Sequence, residues 1–450
     1  MAIKLMMVKL NKKVMKFYDR TSELQVLEKN WLQSASHSMM TTLIGRRRTG
    51  KTALLLKSTE NKPSLYLYVS KDNEQVLCRK FQQQAQDTLD LQLYGQVNSF
   101  GSLFKELMKY GESHHYTLII DEFQNLLAIN AAIPSEIQDI WDRNKDKTRV
   151  NLVLCGSIYS MMKHIFDHSD QPLYGRRDSH IRLLPFGIET LKNIMADHNP
   201  DYKPDDLLCL YMLTGGVAKY VALLMDAHAV TKQKMLNFAF ATDSPFLTEG
   251  TELLISEFGR DYGTYFSILQ LIAGGMTTQN EIDSIIGKNT GAYLNNMNED
   301  YLFISKNKPL LSKPGARNIR WQIDDCFLRF WFRFVYPYQS LIESNQLGSL
   351  KQYVTDNYPQ FTGRTLERYF QEKAMQSGQF TQVGNWWDRK GKNEIDMIAL
   401  NEFDKTCLIA EIKRNKEKIN LTDLLEKTKA LPTDFSSYQI QTAGFSLEDL

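Results

Sequence analysis

The segment Gly45–Thr52, with the sequence GRRRTGKT, constrains the fold of this 450-residue chain more than any other. It lies between the apolar run Met40–Ile44 and the helix-forming stretch Thr52–Lys57. Glycines allow the backbone to turn so that successive N–H groups face one anion, and the N-terminus of the following helix adds partial positive charge. The pattern GxxxxGK[ST] between a strand and a helix therefore predicts a phosphate-binding loop.

This loop and the first residue after it supply most of the predicted ATP contacts. The lysine of the pattern reaches the β- and γ-phosphates, and the hydroxyl that follows it ligates Mg²⁺, which gives these roles to Lys51 and Thr52. Backbone N–H groups of the other positions are expected to face the phosphates. The predicted contacts are Gly45, Arg46, Arg47, Arg48, Thr49, Gly50, Lys51, Thr52 and Ala53.

A second apolar run, Tyr116–Asp121, ends in an acidic pair that would complete the site. Asp121, at the carboxyl end of this run, is predicted to hold the Mg²⁺ shell together with Thr52. Glu122 is predicted to orient or deprotonate the attacking water, since hydrolysis needs a base within reach of that water. Acids often end strands, but an acidic pair that follows a phosphate loop indicates a hydrolysing site.

Two further elements extend the predicted site. Ser157 follows the run Asn151–Leu154 and would contact the γ-phosphate or the water. Arg176, with Arg177 beside it, precedes the last apolar run, and a positive charge there would stabilise the transition state in cis or in trans. The alternative for both arginines is an exposed, solvated side chain.

Short apolar runs alternate with helical stretches from residue 39 to residue 186, as in a parallel sheet that is buried on both faces. We therefore predict an α/β fold, a doubly wound ATPase domain over residues 16–186. The predicted strands are Met40–Ile44, Ser64–Val69, Thr117–Asp121, Asn151–Leu154 and Ile181–Leu184.

Residues 187–258 have a helical pattern with a break at Gly215-Gly216, and we assign them to a helical lid. Residues 259–340 predict three short helices and a hairpin from Tyr301 to Ile323, which is a winged helix. Residues 351–450 predict a third, α/β unit that opens with the helix Arg364–Met375.

The predicted wing carries basic residues that would contact DNA phosphates. The alternative is a winged helix that packs on the nucleotide domain as a lid, which the aromatic run Phe327–Tyr338 favours. The basic residues are Lys306, Lys308, Lys313, Arg317 and Arg320.

Four segments resemble the archaeal-type ATPase family, an AAA-related family that is also found in bacteria. The resemblance extends from residue 16 to about residue 415. The segments are Phe17–Leu24, Ile120–Gln124, Pro172–Arg176 and Gly215–Tyr220.

The resemblance implies roles for residues outside the loop. Arg20 and Glu23 would lie near the adenine end of ATP, and Lys219 would occupy a sensor position. Ala218 stands where the family commonly has proline, which puts the placement of Lys219 in question. AAA-related proteins also place a neighbour's arginine at the γ-phosphate, so the resemblance implies a homo-oligomer with Arg176 as the candidate.

The C-terminal segment contains Asp396 and, fifteen residues later, Glu411-Ile412-Lys413. With Trp386-Trp387-Asp388 before them, these residues resemble the PD-(D/E)XK nuclease fold, and Glu367 matches the additional acid of that fold. The resemblance implies that Glu367, Asp396 and Glu411 bind Mg²⁺ and that Lys413 is catalytic.

A hairpin whose paired residue numbers sum to 807 would place Asp396 opposite Glu411 and turn Lys413 to the same face. Two carboxylates and a lysine on one face can activate water for phosphodiester hydrolysis. The alternative is a set of charged side chains that only solvates a sheet face, and a slip of one residue would separate the carboxylates.

Composition restricts the class of protein and the cellular compartment that we expect. The formal net charge is +2, which gives no overall nucleic-acid signal. No apolar run approaches the roughly 20 residues that a membrane span needs, and no signal peptide is evident. The five cysteines lie far apart without a CxxC pair, which argues against zinc and disulfides. We expect a cytoplasmic protein without a membrane partner.

The sequence thus predicts an ATP-binding and ATP-hydrolysing regulatory protein, with ATP and Mg²⁺ as cofactors. Its ATPase would control a nuclease-like, DNA-directed C-terminal domain. Two alternatives stay open: an ATP switch that binds nucleic acid without cutting it, and a regulatory module that binds a partner protein.

Overall fold

A computed structural model describes residues 15–93, 95–258, 262–312, 315, 318–388 and 391–450 of the chain. Its contacts form two compact units, Phe17–Pro185 and Phe186–Leu450, and residues 15 and 16 belong with the second. We call them the N-terminal unit and the C-terminal unit. The border lies at the end of the predicted ATPase domain. The predicted lid, winged helix and nuclease-like domain all lie in the C-terminal unit, so the limits between them stay predictions.

The N-terminal unit is built on a five-stranded sheet with the order β2-β3-β4-β1-β5, in which all neighbouring strands are parallel. The five predicted strands are all present, with bounds that differ from the predictions by at most two residues. The strands are β1 (Met39–Ile44), β2 (Ser64–Tyr68), β3 (Tyr116–Asp121), β4 (Val150–Gly156) and β5 (Ser179–Arg182).

Helices cover both faces of this sheet. Successive side chains of one strand lie on opposite faces and therefore pack in different cores. Leu118 and Ile120 of β3 pack in one core, whereas Ile119 packs in the other. This is the doubly wound α/β fold with a parallel sheet that the apolar runs predicted. The helices are α1 (Thr21–Gln33), α2 (Lys51–Ser58), α3 (Glu74–Leu89), α4 (Phe100–Ser113), α5 (Asn125–Ile129), α6 (Ile133–Asn144) and α7 (Tyr159–Asp167).

The C-terminal unit begins with helices that pack around helix α9, whose residues Asp206–Thr214 are all buried. The helices of this part are α8 (Ile188–His198), α9 (Pro204–Thr214), α10 (Ala218–Asp226), α11 (Lys232–Ala239) and α12 (Glu249–Phe258).

Three helices and a two-stranded antiparallel sheet follow, in the order that the winged-helix prediction requires. The assignment to that fold stays a prediction. Lys313 and Arg317 of the predicted wing lie outside the described residues. The elements are α13 (Tyr262–Ala273), α14 (Gln279–Ile286), α15 (Gly291–Glu299), β6 (Ile304–Asn307) and β7 (Arg320–Ile323).

Most of the aromatic run lies in the helix α16 (Cys326–Phe334), whose aromatic rings are buried inside the C-terminal unit itself. The indole Nε1 of Trp331 donates to the carbonyl of Leu247 over 3.2 Å. A Cβ on Gly250 would lie 2.3 Å from the Trp331 ring, so only glycine permits this approach. These aromatic residues are core residues of their own unit.

The last part of the C-terminal unit is a four-stranded sheet with the order β11-β10-β9-β8, parallel only between β10 and β11. The long helix α18 packs on it, and α19 connects its two parallel strands. The elements are α17 (Gln339–Glu343), α18 (Leu347–Gln376), β8 (Gln382–Trp387), β9 (Glu394–Asn401), β10 (Thr406–Ile412), α19 (Leu421–Thr428) and β11 (Gln439–Phe445).

All five cysteines are reduced and buried in these cores. Burial raises the pKa of Cys78 and of Cys407 to about 12 each, because the thiolate loses its hydration. Within the described residues, no helix combines the length and the apolar character that crossing a bilayer requires.

Candidate nucleotide site and carboxylate cluster

The predicted phosphate loop connects β1 to α2 in the N-terminal unit. Gly45 donates its N–H to the carbonyl of Gly156, and a Cβ at Gly45 would lie 2.8 Å from the carbonyl oxygen of Leu183. Gly50 caps α2 with a φ of 98°, a left-handed conformation that favours glycine. The close approach at Gly45 and the left-handed backbone at Gly50 therefore explain why both positions are glycine. Helix α2 begins directly at Lys51.

The ammonium of Lys51 turns back onto the loop that precedes it. Its Nζ donates to the carbonyl oxygens of Gly45 over 2.6 Å and of Arg46 over 3.0 Å. The side chain is only 8% exposed. A buried cation whose partners are neutral carbonyls binds a charged phosphate more strongly than it binds those carbonyls.

Arg20 also reaches this loop. Its Nη2 donates to the carbonyl oxygen of Thr49 over 3.4 Å, and its Nη1 lies 3.4 Å from Glu23. Burial lowers the pKa of the Arg20 guanidinium, whereas the charges of Glu23 and Asp19 act in the opposite direction. The structure thus places Arg20 beside the loop; its contact with the adenine end stays a prediction.

Asp121 and Thr52, the predicted Mg²⁺ residues, share a contact that sequence reasoning missed. The hydroxyl of Tyr66 on β2 donates to Asp121 Oδ2 and also interacts with Thr52. Burial, followed by the hydrogen bond to Asp121 and the charge of that residue, raises the pKa of Tyr66. The Thr52 hydroxyl and the Asp121 carboxylate, which both interact with this phenol, are the oxygen ligands that Mg²⁺ prefers, so Thr52 and Asp121 would hold it.

Glu122 has a positive φ of 54°, an uncommon conformation for a residue with a side chain. Its Oε2 accepts hydrogen bonds from Ser157 Oγ over 2.7 Å and from the amide of Gln124. Ser157 is 1% exposed at the end of β4. The structure therefore brings together the predicted base and Ser157, and it adds Gln124.

Arg176 and Arg177, the candidates for stabilising the transition state, form ion pairs inside the N-terminal unit. Arg176 donates from Nε and Nη2 to Asp142, and its Nη1 donates to the carbonyls of Pro172 and Tyr174. Arg177 pairs with Asp167 over 2.7 Å. Each guanidinium has an acidic partner, and the catalytic role of Arg176 stays a prediction. Lys219 is an exposed residue of α10 in the C-terminal unit, and its role as a nucleotide contact also stays a prediction.

In the C-terminal unit, β9 and β10 pair in the register that the sequence predicted. The paired residues run from Asn401 with Thr406 to Met397 with Ala410, and each pair sums to 807. Lys413 Nζ lies 2.8 Å from Asp396 Oδ2 and 3.6 Å from Glu411 Oε1. The hairpin therefore brings both carboxylates to one ammonium.

Backbone N–H groups hold the two carboxylates as well. Asp396 Oδ2 accepts from the N–H of Ile412, and Glu411 Oε2 accepts from the N–H of Asn420. Burial lowers the pKa of the Lys413 ammonium, but the hydrogen bond and charge of Asp396 outweigh it, so the net pKa is raised. The structure pairs Lys413 with the two acids, and its catalytic role stays a prediction.

Glu367 on α18 lies close enough to this cluster for the charge of Asp396 to change the pKa of Glu367. Burial, then the negative charge of Asp396, raises the pKa of Glu367 to about 7. Arg364 and Lys413 act against this shift.

Among the described residues, no group of three or more His, Cys, Asp or Glu side chains is placed to hold a metal ion. The ammonium of Lys413 compensates the charge of Asp396 and Glu411 here. The donor chemistry suits Mg²⁺, but the metal assignment of Glu367, Asp396 and Glu411 stays a prediction.

Two family descriptions match the chain. Residues 17–224 match an ATPase domain predominantly from Archaea. Residues 331–426 match a family described as "Archaea bacterial proteins of unknown function".

Two known proteins are similar to most of this chain. An uncharacterized protein of Methanocaldococcus jannaschii is 28% identical over 434 residues, which cover 93% of each protein. A Walker-type ATPase of Pyrococcus abyssi is similar in fold, with a TM-score of 0.52 and 18% identity, over 70% of this chain and 96% of that one. Residues 17–224 are therefore similar to an archaeal ATPase domain, and residues 331–426 are similar to the second family.

Proposed function

We propose that the N-terminal unit binds ATP with Mg²⁺ and hydrolyses it, and that this cycle regulates the C-terminal unit. The observation that carries the proposal is the loop Gly45–Thr52, where the buried ammonium of Lys51 donates to the carbonyls of Gly45 and Arg46. The match of residues 17–224 to an archaeal ATPase domain supports it independently.

Each residue of the site has a defined task in this proposal. Lys51 exchanges its carbonyl partners for the β- and γ-phosphates, and Thr52 and Asp121 hold Mg²⁺, which neutralises phosphate charge when bound. Glu122 accepts the proton of the attacking water. Ser157 donates to the carboxylate of Glu122 and so fixes its orientation.

The test of this site is the substitution Lys51→Ala, with Lys57→Ala as the matched control. Both lysines lie on α2, but Lys57 is half exposed and pairs with Glu60. We expect Lys51→Ala to lose ATP affinity in titration calorimetry while it retains its circular dichroism spectrum. Lys57→Ala should bind ATP like the parent protein. Equal affinity of Lys51→Ala and the parent would overturn the assignment.

We further propose that the C-terminal unit acts on phosphodiester bonds of nucleic acid. The specific observation that favours this activity is the cluster in which Lys413 contacts Asp396 and Glu411, next to Glu367. The rival proposals are a C-terminal unit that binds nucleic acid without cutting it, and one that binds a partner protein.

A cleavage assay with Mg²⁺ or Mn²⁺, with and without ATP, separates these proposals. We expect metal-dependent cleavage of duplex or single-stranded DNA that is lost in Asp396→Asn and retained in Glu402→Gln. Glu402 is an exposed residue in the turn of the same hairpin. Salt-sensitive DNA binding without cleavage would favour the binding switch. Absence of both would favour a protein partner.

A further inference from the structure

A cavity of about 630 Å³ lies within the C-terminal unit, beside the carboxylate cluster. Its walls come from α18, β7, α16, the strands β8 and β9, and the segment that joins α13 to α14. Pockets for small ligands commonly measure about 300–1,000 Å³, so the cavity has the volume to hold one. Glu367 lies in its wall and connects it to the cluster.

One face of α18 supplies the charged floor of this cavity. Arg364, Glu367, Arg368 and Gln371 all line it, and Arg364 and Gln371 lie three or four residues from both Glu367 and Arg368. Residues at this spacing are neighbours on the surface of a helix. Consecutive turns of α18 therefore bring these side chains to the cavity.

Two of the four arginines that line the cavity are neutralised by neighbouring acids. Arg320 lies 2.9 Å from Glu394, and Arg368 lies 2.9 Å from Glu372. The charges of these four residues cancel in pairs.

The other two arginines form no ion pair with an acid among the described residues, although both interact with the charge of Glu367. The guanidinium of Arg329 donates to Thr365 Oγ1 and to the carbonyl of Phe361, both over 3.2 Å. Burial lowers the pKa of Arg329 to about 10. Arg364 is exposed and forms no hydrogen bond or ion pair with the described residues, although its charge acts on Glu367.

Burying a guanidinium group costs free energy when its hydrogen-bond acceptors are all neutral. A bound anion would offset this cost. The guanidinium group also has the donor geometry that matches phosphate oxygens. We propose that this cavity binds a phosphate ester of a nucleoside, held by the guanidinium groups of Arg364 and Arg329. The ester belongs either to a nucleic-acid strand or to a free nucleotide.

Glu281 and Glu367 are the wall acids that have no ion pair among the described residues, and their charges oppose a bound anion. The charge of Asp396, in the carboxylate cluster, acts on Glu367. The cavity is therefore adjacent to the proposed phosphodiester chemistry, but anion binding there does not require that chemistry.

Fluorescence anisotropy of a labelled single-stranded oligonucleotide, in EDTA and without ATP, tests the proposal on the full chain. AMP and inorganic phosphate are added as competitors, which distinguishes a strand from a free nucleotide or a bare phosphate. Arg364→Gln is the main variant, because an exposed side chain can be changed without disturbing the core. The matched control is Lys351→Gln, which removes one positive charge from the same helix outside the cavity lining.

We expect Arg364→Gln to weaken binding by about tenfold or more, because a hydrogen bond to a charged group is lost. Arg329→Lys, which keeps the charge but not the fork of donors, should also weaken it. Lys351→Gln should bind like the parent protein. Equal losses in Arg364→Gln and Lys351→Gln, or no binding of any of the three ligands, would overturn the proposal. ATP hydrolysis, measured on the same samples, reports separately on the N-terminal site.

Discussion

Ser157 Oγ donates a hydrogen bond of 2.7 Å to Glu122 Oε2, so the ends of two neighbouring strands hold the predicted base between them. Gln124 donates to the same oxygen. Two side chains thus orient the carboxylate of Glu122. The role of Glu122 in turnover can be tested separately from the roles of Ser157 and Gln124.

Glu122→Gln is expected to slow ATP hydrolysis by roughly 10²–10⁴-fold, the loss that is typical when a general base is removed. ATP affinity should persist, because Lys51, Thr52 and Asp121 are unchanged. Steady-state phosphate release measures the turnover, and Glu112→Gln, an exposed change on α4, is the control. Undiminished turnover would assign the base to another residue.

Ser157→Ala tests the orientation of the carboxylate. Loss of one hydrogen bond to a charged group is worth about 1.5 kcal/mol, so we expect turnover to fall by about tenfold, less than in Glu122→Gln. In the background of Glu122→Gln, the serine substitution should have little further effect. Fully multiplicative losses in the double variant would indicate that the two residues act independently.

Arg176→Ala is expected to lower turnover if the arginine completes a neighbour's site. Specific activity should then rise with protein concentration, and inactive Arg176→Ala chains should fail to complement one another. Arg143→Ala, a 74% exposed residue of α6, is the control. Turnover per chain that stays flat through the monomer–oligomer range would favour an arginine that acts in cis, or none.

Lys413→Ala is expected to make the C-terminal unit depend on metal for its stability. Without the ammonium, Asp396 and Glu411 repel each other, so Mn²⁺ should raise the melting temperature of this variant more than that of the parent. Asp396→Asn should abolish the gain. Lys429→Ala, a 70% exposed change on the surface, should respond like the parent. No metal response in any variant would speak against a shared metal.

Glu367→Gln is expected to change stability with pH in a defined direction. The pKa of Glu367 is raised from 4.5 to about 7, so the folded chain holds a proton that the unfolded chain releases between these values. Stability therefore falls as pH rises from 4.5 to 7, by roughly 3 kcal/mol for this one group. The glutamine variant avoids that loss.

Thermal melting in EDTA at pH 5 and pH 8 measures this effect. The advantage of Glu367→Gln over the parent should be larger at pH 8. Glu426→Gln, a 65% exposed control, should show no comparable trend. A difference between variant and parent that is the same at both pH values would contradict the assigned pKa.

The sheet of the N-terminal unit could be predicted because each strand is a short apolar run that is buried on both faces. The register of β9 and β10 could be predicted because the position of the turn between two strands of a hairpin determines which residues pair. The contact of Tyr66 with Asp121 could not be predicted, because it depends on which strand lies beside β3 and on how far a phenol extends.

The length of α18 was also missed. The predicted helix started at Arg364, whereas the observed helix starts at Leu347 and continues through Pro359. A proline inside a helix costs about 3 kcal/mol or more. Leu350, Val354, Tyr358 and Phe361 are buried along one side of this helix, and their packing outweighs that cost. Such compensation comes from tertiary contacts, which local patterns do not contain.

The five buried cysteines have a practical consequence for measuring motion. Thiol reagents attack the thiolate, and burial keeps these thiols protonated and inaccessible. A cysteine introduced at an exposed position would therefore be labelled selectively in the native protein, with the natural cysteines left in place. One fluorophore on each unit would report directly whether the distance between the two units changes when ATP is added.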